Sequence, residues 1–179
     1  MNIAVYLGAS KGNDPAIERA VDALGRWIAS RKHTLVYGGT NNGLMGVLSD
    51  AVKEEGGSMI GVTVRIPMIE KATRNDLDAC FVTDDLRERK QIMMARSDAF
   101  VAMPGSLGTL DELTDVLADL KTGVLAKPCF VMNIGGFYDP LIALLETMID
   151  RGFLLREELK HLHFVTGVEE LGERLSETL

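Results

Sequence analysis

The residues of this chain that could do chemistry are concentrated between Pro104 and Glu112, which read Pro-Gly-Ser-Leu-Gly-Thr-Leu-Asp-Glu. They follow a short apolar run, Ala99 to Met103, which is typical of a parallel strand buried on both faces. Proline and glycine end the strand, and Thr109 predicts the N-cap of the helix that follows. A strand, a glycine-containing loop and a helix N-terminus favour binding of an anion such as phosphate. Backbone N–H groups and the positive end of the helix dipole converge there.

Glu112 is unexpected, because it places a carboxylate where an anion would bind. One interpretation makes it the last residue of a capping box, in which it accepts a hydrogen bond from the backbone N–H of Thr109. The other makes it a catalytic group that faces a ligand whose phosphate lies on the loop. From these residues alone the capping box is favoured, because such boxes are frequent at helix starts.

Other loops and a basic helix are predicted to lie near this segment. Glycine-containing loops that follow predicted strands share the carboxyl edge of a parallel sheet. They are Gly8–Gly12, Gly38–Gly43, Pro104–Gly108 and Gly135–Gly136. The helix predicted for residues 86–96 runs back along the strand that it feeds, so its first turns, with Arg87, Arg89 and Lys90, should lie close to the Pro104–Thr109 loop. A basic triplet is usually a solvated helix face, but beside an anion-binding loop it favours a phosphate clamp.

None of these loops has the pattern of a P-loop ATPase, and none has the full G-x-G-x-x-G dinucleotide pattern. We therefore prefer a mononucleotide to NAD. His161 and His163 alternate on one strand face without a third ligand, which favours structural histidines over a zinc site. We expect no metal and no cofactor.

Short apolar runs alternate with helical patterns along the whole chain. This order predicts an α/β Rossmann-like doubly wound parallel sheet in three α/β/α layers, formed by one domain, residues 1–179. The expected strands are 3–7, 34–37, 59–64, 80–82, 99–103, 129–133 and 163–165. Helices are expected from Pro15 with Asp14 as N-cap, at 44–55, 86–96, 110–122 and 140–150, with a short one at 156–160 and a final one at 168–179. Residues 65–78 are mixed and polar; of a mobile loop over the site and a plain connection, the plain connection is favoured.

Composition limits the partners of the chain. A net charge of −7 and an isoelectric point near 5.0 argue against DNA or RNA, which needs a broad basic surface, but are compatible with a small phosphorylated ligand. Cys80 and Cys129 lie in apolar runs, and we expect buried free thiols in a reducing cytosol. The N-terminus reads as a strand rather than an export signal, and no apolar run has membrane-spanning length. We expect a cytoplasmic protein without a membrane partner.

Three motifs in register resemble the Lonely Guy family, nucleoside 5′-monophosphate phosphoribohydrolases that release cytokinin bases. Pro104–Glu112 is similar to the family's P-G-G-x-G-T-x-x-E motif. Gly38–Gly46 is similar to G-G-G-x-x-G-L-M-G, and Leu86–Lys90 falls on M-H-x-R-K. The likeness extends from about residue 3 to residue 155, with a further match at Gly135–Pro140.

The resemblance implies a Rossmann-like homodimer that cleaves the N-glycosidic bond between a base and ribose 5-phosphate. By the motif match, Glu112 and Arg89 fall on the catalytic pair, so the resemblance favours catalysis over a capping box for Glu112. The loops fall on the phosphate and ribose sites. Together with the loop after the first strand and the basic helix, the expected substrate-binding residues are Gly8, Ser10, Gly38, Gly39, Thr40, Lys90, Gly105, Ser106, Leu107, Gly108 and Thr109.

The chain departs from the family pattern at three positions. Ser106 and Thr40 replace glycines, and Arg87 replaces a histidine. A side chain at 40 or 106 narrows the approach of phosphate to the backbone, although either hydroxyl can donate a hydrogen bond instead. A further difference lies at Asp119–Thr122, where plant-like members are expected to have a more apolar, tryptophan-containing stretch. AMP or another purine monophosphate is therefore as reasonable a substrate as a cytokinin nucleotide. The alternative is a non-catalytic binder or carrier of a nucleotide-like phosphorylated ligand, as in related molybdenum-cofactor carriers. A lysine decarboxylase label that relatives have carried has little support, since nothing in the sequence indicates a pyridoxal-phosphate site.

Overall fold

Seven parallel strands form one sheet in the order β4-β3-β2-β1-β5-β6-β7 in this computed structural model, which describes residues 1–178. The strands are β1 Asn2–Tyr6, β2 Thr34–Tyr37, β3 Ser58–Val64, β4 Ala79–Thr83, β5 Ala99–Ala102, β6 Cys129–Met132 and β7 Leu162–Val165. The helices are α1 Pro15–Ser30, α2 Gly43–Glu54, α3 Pro67–Glu70, α4 Leu86–Ala95, α5 Leu107–Thr122, α6 Asp139–Asp150 and α7 Val168–Glu177. Short 3₁₀ turns lie at Ile134–Gly136 and Arg156–Leu159.

The sheet is covered on both faces, as its apolar strands require. Alternate residues of β1 point to opposite sides. Ile3 and Val5 pack with the apolar face of α1, whereas Ala4 and Tyr6 pack with the apolar face of α5. Such runs, buried on both faces, are characteristic of parallel sheets. The predicted doubly wound α/β sheet in three layers is confirmed.

The chain reverses its direction of travel across the sheet between β1 and β5. β1 pairs with β2 on one side and with β5 on the other, and the helices that follow β1 and β5 lie on opposite faces. The loops after these two strands diverge there and leave a crevice, the usual ligand position in such sheets. They touch where the Gly8 N–H donates to the Pro104 carbonyl, at 3.3 Å.

Three local predictions were wrong. Residues 65–78 are not a plain connection, because they contain α3 and an antiparallel bridge between Thr73 and Thr40. Cys80 is exposed, whereas Cys129 is buried as expected. Cys80 lies on β4, an edge strand with one solvated face. The third error concerns the start of α5, described with the site. The predicted end of the last helix, Leu179, lies outside the described residues.

Within residues 1–178, no helix is both long and apolar enough to cross a bilayer. In the same range, no group of three or more His, Cys, Asp or Glu side chains could hold a metal ion.

Candidate active site

A cavity of about 330 Å³ opens in the crevice at the carboxyl ends of β1, β2 and β5. Arg89 and Glu112 contribute its charged groups, and most of the other lining side chains are small or apolar. The lining residues are Val5, Leu7, Ala9, Gly38, Thr40, Asn42, Met45, Met68, Ile69, Leu86, Arg89, Ser106, Gly108, Thr109 and Glu112. An apolar pocket with a few convergent polar groups is the usual form of a small-molecule site.

Arg89 and Glu112 form an ion pair in this cavity, with 2.6 Å between Nη1 and Oε1. The two side chains are 15% and 11% exposed. Asp85 caps the N-terminus of α4 by accepting hydrogen bonds from the first-turn N–H groups, and so starts the helix that carries Arg89. The guanidinium also donates through Nε to the Val62 carbonyl, at 2.8 Å. Arg89 is therefore held in one orientation from two sides.

Burial raises the pKa of Glu112 above its ordinary value, and the positive charge of Arg89 opposes the rise. Desolvation disfavours the charged carboxylate, whereas an adjacent guanidinium favours it. A carboxylate whose pKa is shifted by burial, and which lies in a cleft with a specific charged partner, is typical of a catalytic group.

Helix α5 begins at Leu107, so the prediction that Thr109 is its N-cap was wrong. Ser106 occupies the N-cap position, with no side-chain cap bond from the described residues. A Cβ on Gly105 would lie 2.1 Å from the Thr109 hydroxyl oxygen, so only glycine lets the loop turn this closely onto the helix. The capping box predicted from Thr109 and Glu112 does not form, because Glu112 turns to Arg89 instead. Backbone N–H groups of the first turn at Gly108 and Thr109 lie beside the cavity, where they favour an anion.

The loop after β2 approaches Arg89 closely. A Cβ on Gly38 would lie 2.7 Å from Nη2 of Arg89 and 2.9 Å from the Met45 sulfur. Thr40, which replaces a glycine of the family pattern, is buried and directs its hydroxyl to the same sulfur at 3.4 Å. This threonine therefore occupies space in the loop without closing the cavity.

The structure brings some of the predicted site residues to the cavity and leaves others outside it. Those that line it are Arg89, Glu112, Gly38, Thr40, Ser106, Gly108 and Thr109. Those that do not are Gly8, Ser10, Gly39, Lys90, Gly105 and Leu107. Gly8, Gly39 and Gly105 shape the loops behind the lining. Lys90 pairs instead with Asp111 at 2.9 Å and Asp115 at 2.7 Å on α5.

Sequence reasoning missed the apolar lining. Val5 lies on β1 and Leu7 directly follows it, and this strand was predicted to within one residue at each end. Nothing in the pattern indicates which of these residues face the ligand. Met68 and Ile69 come from the segment read as a plain connection. Leu86 and Met45 did have a usable signal, because they lie in the M-H-x-R-K and G-G-G-x-x-G-L-M-G matches.

Comparisons with known proteins agree with these motifs. A family model described as "Possible lysine decarboxylase" matches residues 45–175. A probable cytokinin riboside 5′-monophosphate phosphoribohydrolase of Arabidopsis thaliana is 36% identical over 154 residues, which are 86% of this chain and 77% of the relative. A second probable enzyme of that name, from Oryza sativa subsp. japonica, is 34% identical over 176 residues, 98% of this chain and 72% of the relative.

Solved structures share the fold at lower identity. The molybdenum cofactor binding protein of Rippkaea orientalis has a TM-score of 0.74 and 23% identity, over 98% of this chain and 95% of that one. The Moco carrier protein of Chlamydomonas reinhardtii has a TM-score of 0.72 and 21% identity, over 99% and 98%. Likeness at this identity shows the fold alone. The family model and the plant relatives cover most of the chain, and they establish that this protein belongs to the Lonely Guy family of cytokinin riboside 5′-monophosphate phosphoribohydrolases.

Proposed function

We propose that this protein hydrolyses the N-glycosidic bond of a nucleoside 5′-monophosphate to a free base and ribose 5-phosphate. The observation that carries the proposal is the buried Arg89–Glu112 pair, placed between a glycine loop and the N-terminus of α5. The plant relatives described above are named for this reaction on cytokinin nucleotides. The cavity of about 330 Å³ has the size of a small-ligand pocket.

The chemistry assigns a separate role to each group. The 5′-phosphate binds the first-turn N–H groups of α5 at Gly108 and Thr109, where the helix dipole favours negative charge. As the bond from C1′ to the base nitrogen breaks, its electron pair leaves with the base and positive charge develops on the ribose. The Glu112 carboxylate stabilises that charge and orients the water whose oxygen joins C1′. The proton that this water loses balances the proton that the departing base takes up from solvent. Arg89 keeps Glu112 ionised and in place.

Base release from purified protein tests this proposal. The protein is incubated with AMP and with an N6-prenylated adenosine monophosphate, and free base is separated by chromatography. Glu112→Gln keeps the shape of the side chain and removes its charge, so we expect kcat to fall by about 10²-fold or more. Arg26→Gln, which removes an arginine that joins α1 to carboxylates at the end of α2, is the control and should retain activity.

The alternative is a non-catalytic carrier of a nucleotide-like phosphorylated ligand. It is favoured by side chains at Thr40 and Ser106 where the family pattern has glycine. The structural neighbours described above bind or carry the molybdenum cofactor. Both Glu112 and Arg89 are nevertheless present and paired, which favours the enzyme. Saturable binding of AMP without release of base from either nucleotide would support the carrier.

We also propose that the protein is a homodimer, formed through a groove of about 840 Å³ beside the cavity. The groove runs between α5 and α6 and includes Leu107 and Phe153, which are 82% and 79% exposed. Large exposed apolar surfaces mark interaction sites, and a self-complementary patch gives a two-fold dimer. Light scattering should give about 39 kDa, twice the chain mass of 19.5 kDa.

Leu107→Asp should convert that dimer to a monomer, because it places a charge in the apolar lining of the groove. Val124→Asp is the matched control, since Val124 is 78% exposed but does not line the groove. A species of 19.5 kDa for the unaltered chain at micromolar concentration would contradict the dimer.

The remaining expectations concern compartment and partners. We propose a cytoplasmic protein that does not bind nucleic acid. Two free cysteines, with Cys80 exposed, suit a reducing compartment, and the net charge of −7 opposes a polyanion. Cell fractionation and a mobility-shift assay with DNA and RNA test these two points.

A further inference from the structure

The segment Ile66–Arg74, here called the strap, lies beside the cavity at the carboxyl ends of the strands. It pairs with the loop after β2. The Arg74 N–H donates to the Gly39 carbonyl at 2.9 Å, and the Asn41 N–H donates to the Ala72 carbonyl at 3.0 Å. Between these bonds, Thr73 and Thr40 form the antiparallel bridge. The strap therefore holds the backbone of a loop that lines the cavity.

The other end of the strap contributes to the cavity itself. Met68 and Ile69 line it, next to the apolar side chains of Met45 and Leu86. The Thr73 hydroxyl donates to the Ile69 carbonyl at 3.0 Å, which ties the two ends of the strap together. This bond joins Ile69, which lines the cavity, to Thr73, which pairs with the loop after β2.

Arg74 anchors the strap to α2. Its side chain is only 10% exposed. Nε and Nη2 donate to the two carboxylate oxygens of Asp76 at 2.8 and 2.9 Å, and Nη1 donates to the Ser49 hydroxyl at 2.9 Å and to Asp50. Ser49 and Asp50 belong to α2, the helix that begins directly after the loop held by the strap.

The charges around Arg74 are balanced. Asp76 also pairs with Lys53, so the cluster contains two cations and two carboxylates. Hydrogen bonds from Arg74 and then Lys53 hold the pKa of Asp76 well below its usual range. Bidentate guanidinium–carboxylate bonding with little exposure is the geometry in which such pairs stabilise one conformation.

We propose that Arg74 is a positioning residue that holds the strap, and through it the apolar wall at Met68 and Ile69 and the Gly38–Asn41 loop, in the shape that binds substrate. The inference rests on the proposed nucleotide hydrolysis. Arg74 does not line the cavity, and its side chain bonds to neither Arg89 nor Glu112. Its loss should therefore weaken binding without changing the groups at the reacting bond.

The test compares Arg74→Gln with Arg26→Gln. Arg26 is a matched control, because it too pairs with more than one carboxylate. Its partners are Asp22, Glu54 and Glu55, at the far end of α2, whereas Arg74 pairs with Asp50 and Asp76. We expect Arg74→Gln to raise KM for the nucleotide about fivefold or more with kcat within about twofold, and Arg26→Gln to leave both unchanged. Arg74→Lys, which keeps the charge but not the bidentate geometry, should recover part of the loss.

Two further measurements separate positioning from a general loss of stability. Trypsin should cleave after Lys71, an exposed residue of the strap, faster in Arg74→Gln than in the unaltered chain or Arg26→Gln. Ile69→Ala should raise KM in the unaltered chain but add little in the Arg74→Gln background, because the two changes act on one element.

Equal KM values for the Arg74 and Arg26 variants, or an unchanged rate of cleavage after Lys71, would overturn the inference. If the unaltered chain released no base, the proposed function would fail. The cleavage rate after Lys71 would still decide in that case whether Arg74 anchors the strap.

Discussion

Breaking the Arg89–Glu112 pair from either side should destabilise the fold, but with different dependence on pH. In Arg89→Met, Glu112 loses its only ion-pair partner among residues 1–178. Its carboxylate can avoid the free-energy cost of an unpaired charge in the protein interior by taking up a proton. In Glu112→Leu the guanidinium is left behind, and it cannot lose its charge in this way. The stability of Arg89→Met should therefore fall further between pH 5 and pH 8 than that of the unaltered chain, whereas Glu112→Leu has no carboxylate at this position to titrate.

The magnitude follows from the ordinary pKa of a glutamate, 4.5. Each pH unit above that value costs about 1.36 kcal/mol if the side chain must stay neutral in the folded state. The penalty in Arg89→Met is then at most about 4.8 kcal/mol at pH 8 and about 0.7 kcal/mol at pH 5. Removal of one partner of a buried pair usually costs about 3–5 kcal/mol, and about 3 kcal/mol lowers Tm by roughly 6–12 °C in a chain of this size.

The direction in which stability changes with pH is that of a carboxylate whose pKa is higher in the folded state than in the unfolded state. The stability that the neutral carboxyl contributes is fully present below the pKa of Glu112 in the unfolded state. It is lost as the pH rises through the pKa of Glu112 in the folded state. Since Arg89 opposes the rise in the pKa of Glu112, its removal widens the shift and extends this loss of stability to higher pH.

Urea unfolding at pH 5 and pH 8 measures the effect for Arg89→Met, Glu112→Leu and the double variant. The double variant should recover most of the stability, because it buries no unpaired charge. An Arg89→Met loss that is equal at the two pH values, or a double variant whose losses simply add, would refute the reasoning.

Three further outcomes are expected. Gly38→Ala should lower base release about tenfold or more in the chromatographic assay, because its Cβ would lie 2.7 Å from Nη2 of Arg89. As the pH is lowered, activity should begin to fall at a pH above the usual pKa range of a glutamate, because burial raises the pKa of Glu112. This acidic limb of the pH–rate profile should be absent in Glu112→Gln. An acidic limb centred near pH 4 would contradict the prediction. Iodoacetamide should label Cys80 in the folded protein but spare Cys129, which is buried with its pKa raised to about 12; mass spectrometry counts the adducts.

Local signals explain why most of the fold was predictable. Helix α1 was located by Asp14, which accepts a hydrogen bond from the Ala16 N–H, and the end of α5 by Gly123, which adopts the left-handed conformation at φ 72°. Apolar runs of four or five residues between such signals fit strands buried on both faces. These features depend on neighbours in the chain, so a single sequence contains them.

Long-range contacts explain the errors. α5 begins at Leu107, with the Gly105 backbone packed against Thr109. Glu112 accepts a hydrogen bond from Arg89, 23 positions away in the chain, instead of from the N–H of the expected capping residue. Cys80 is exposed because β4 is an edge strand, which follows from the order of strands rather than from the residues of β4.

The sequence by itself determined the class of fold, the loops that border the cavity and the motifs that place this chain in its family. Only the tertiary structure decided which of those residues face the cavity, that Lys90 turns to α5, and that a segment read as a connection is tied down by Arg74. Propensities, caps and turns act within a few residues, whereas cavities and ion pairs join side chains brought together by packing.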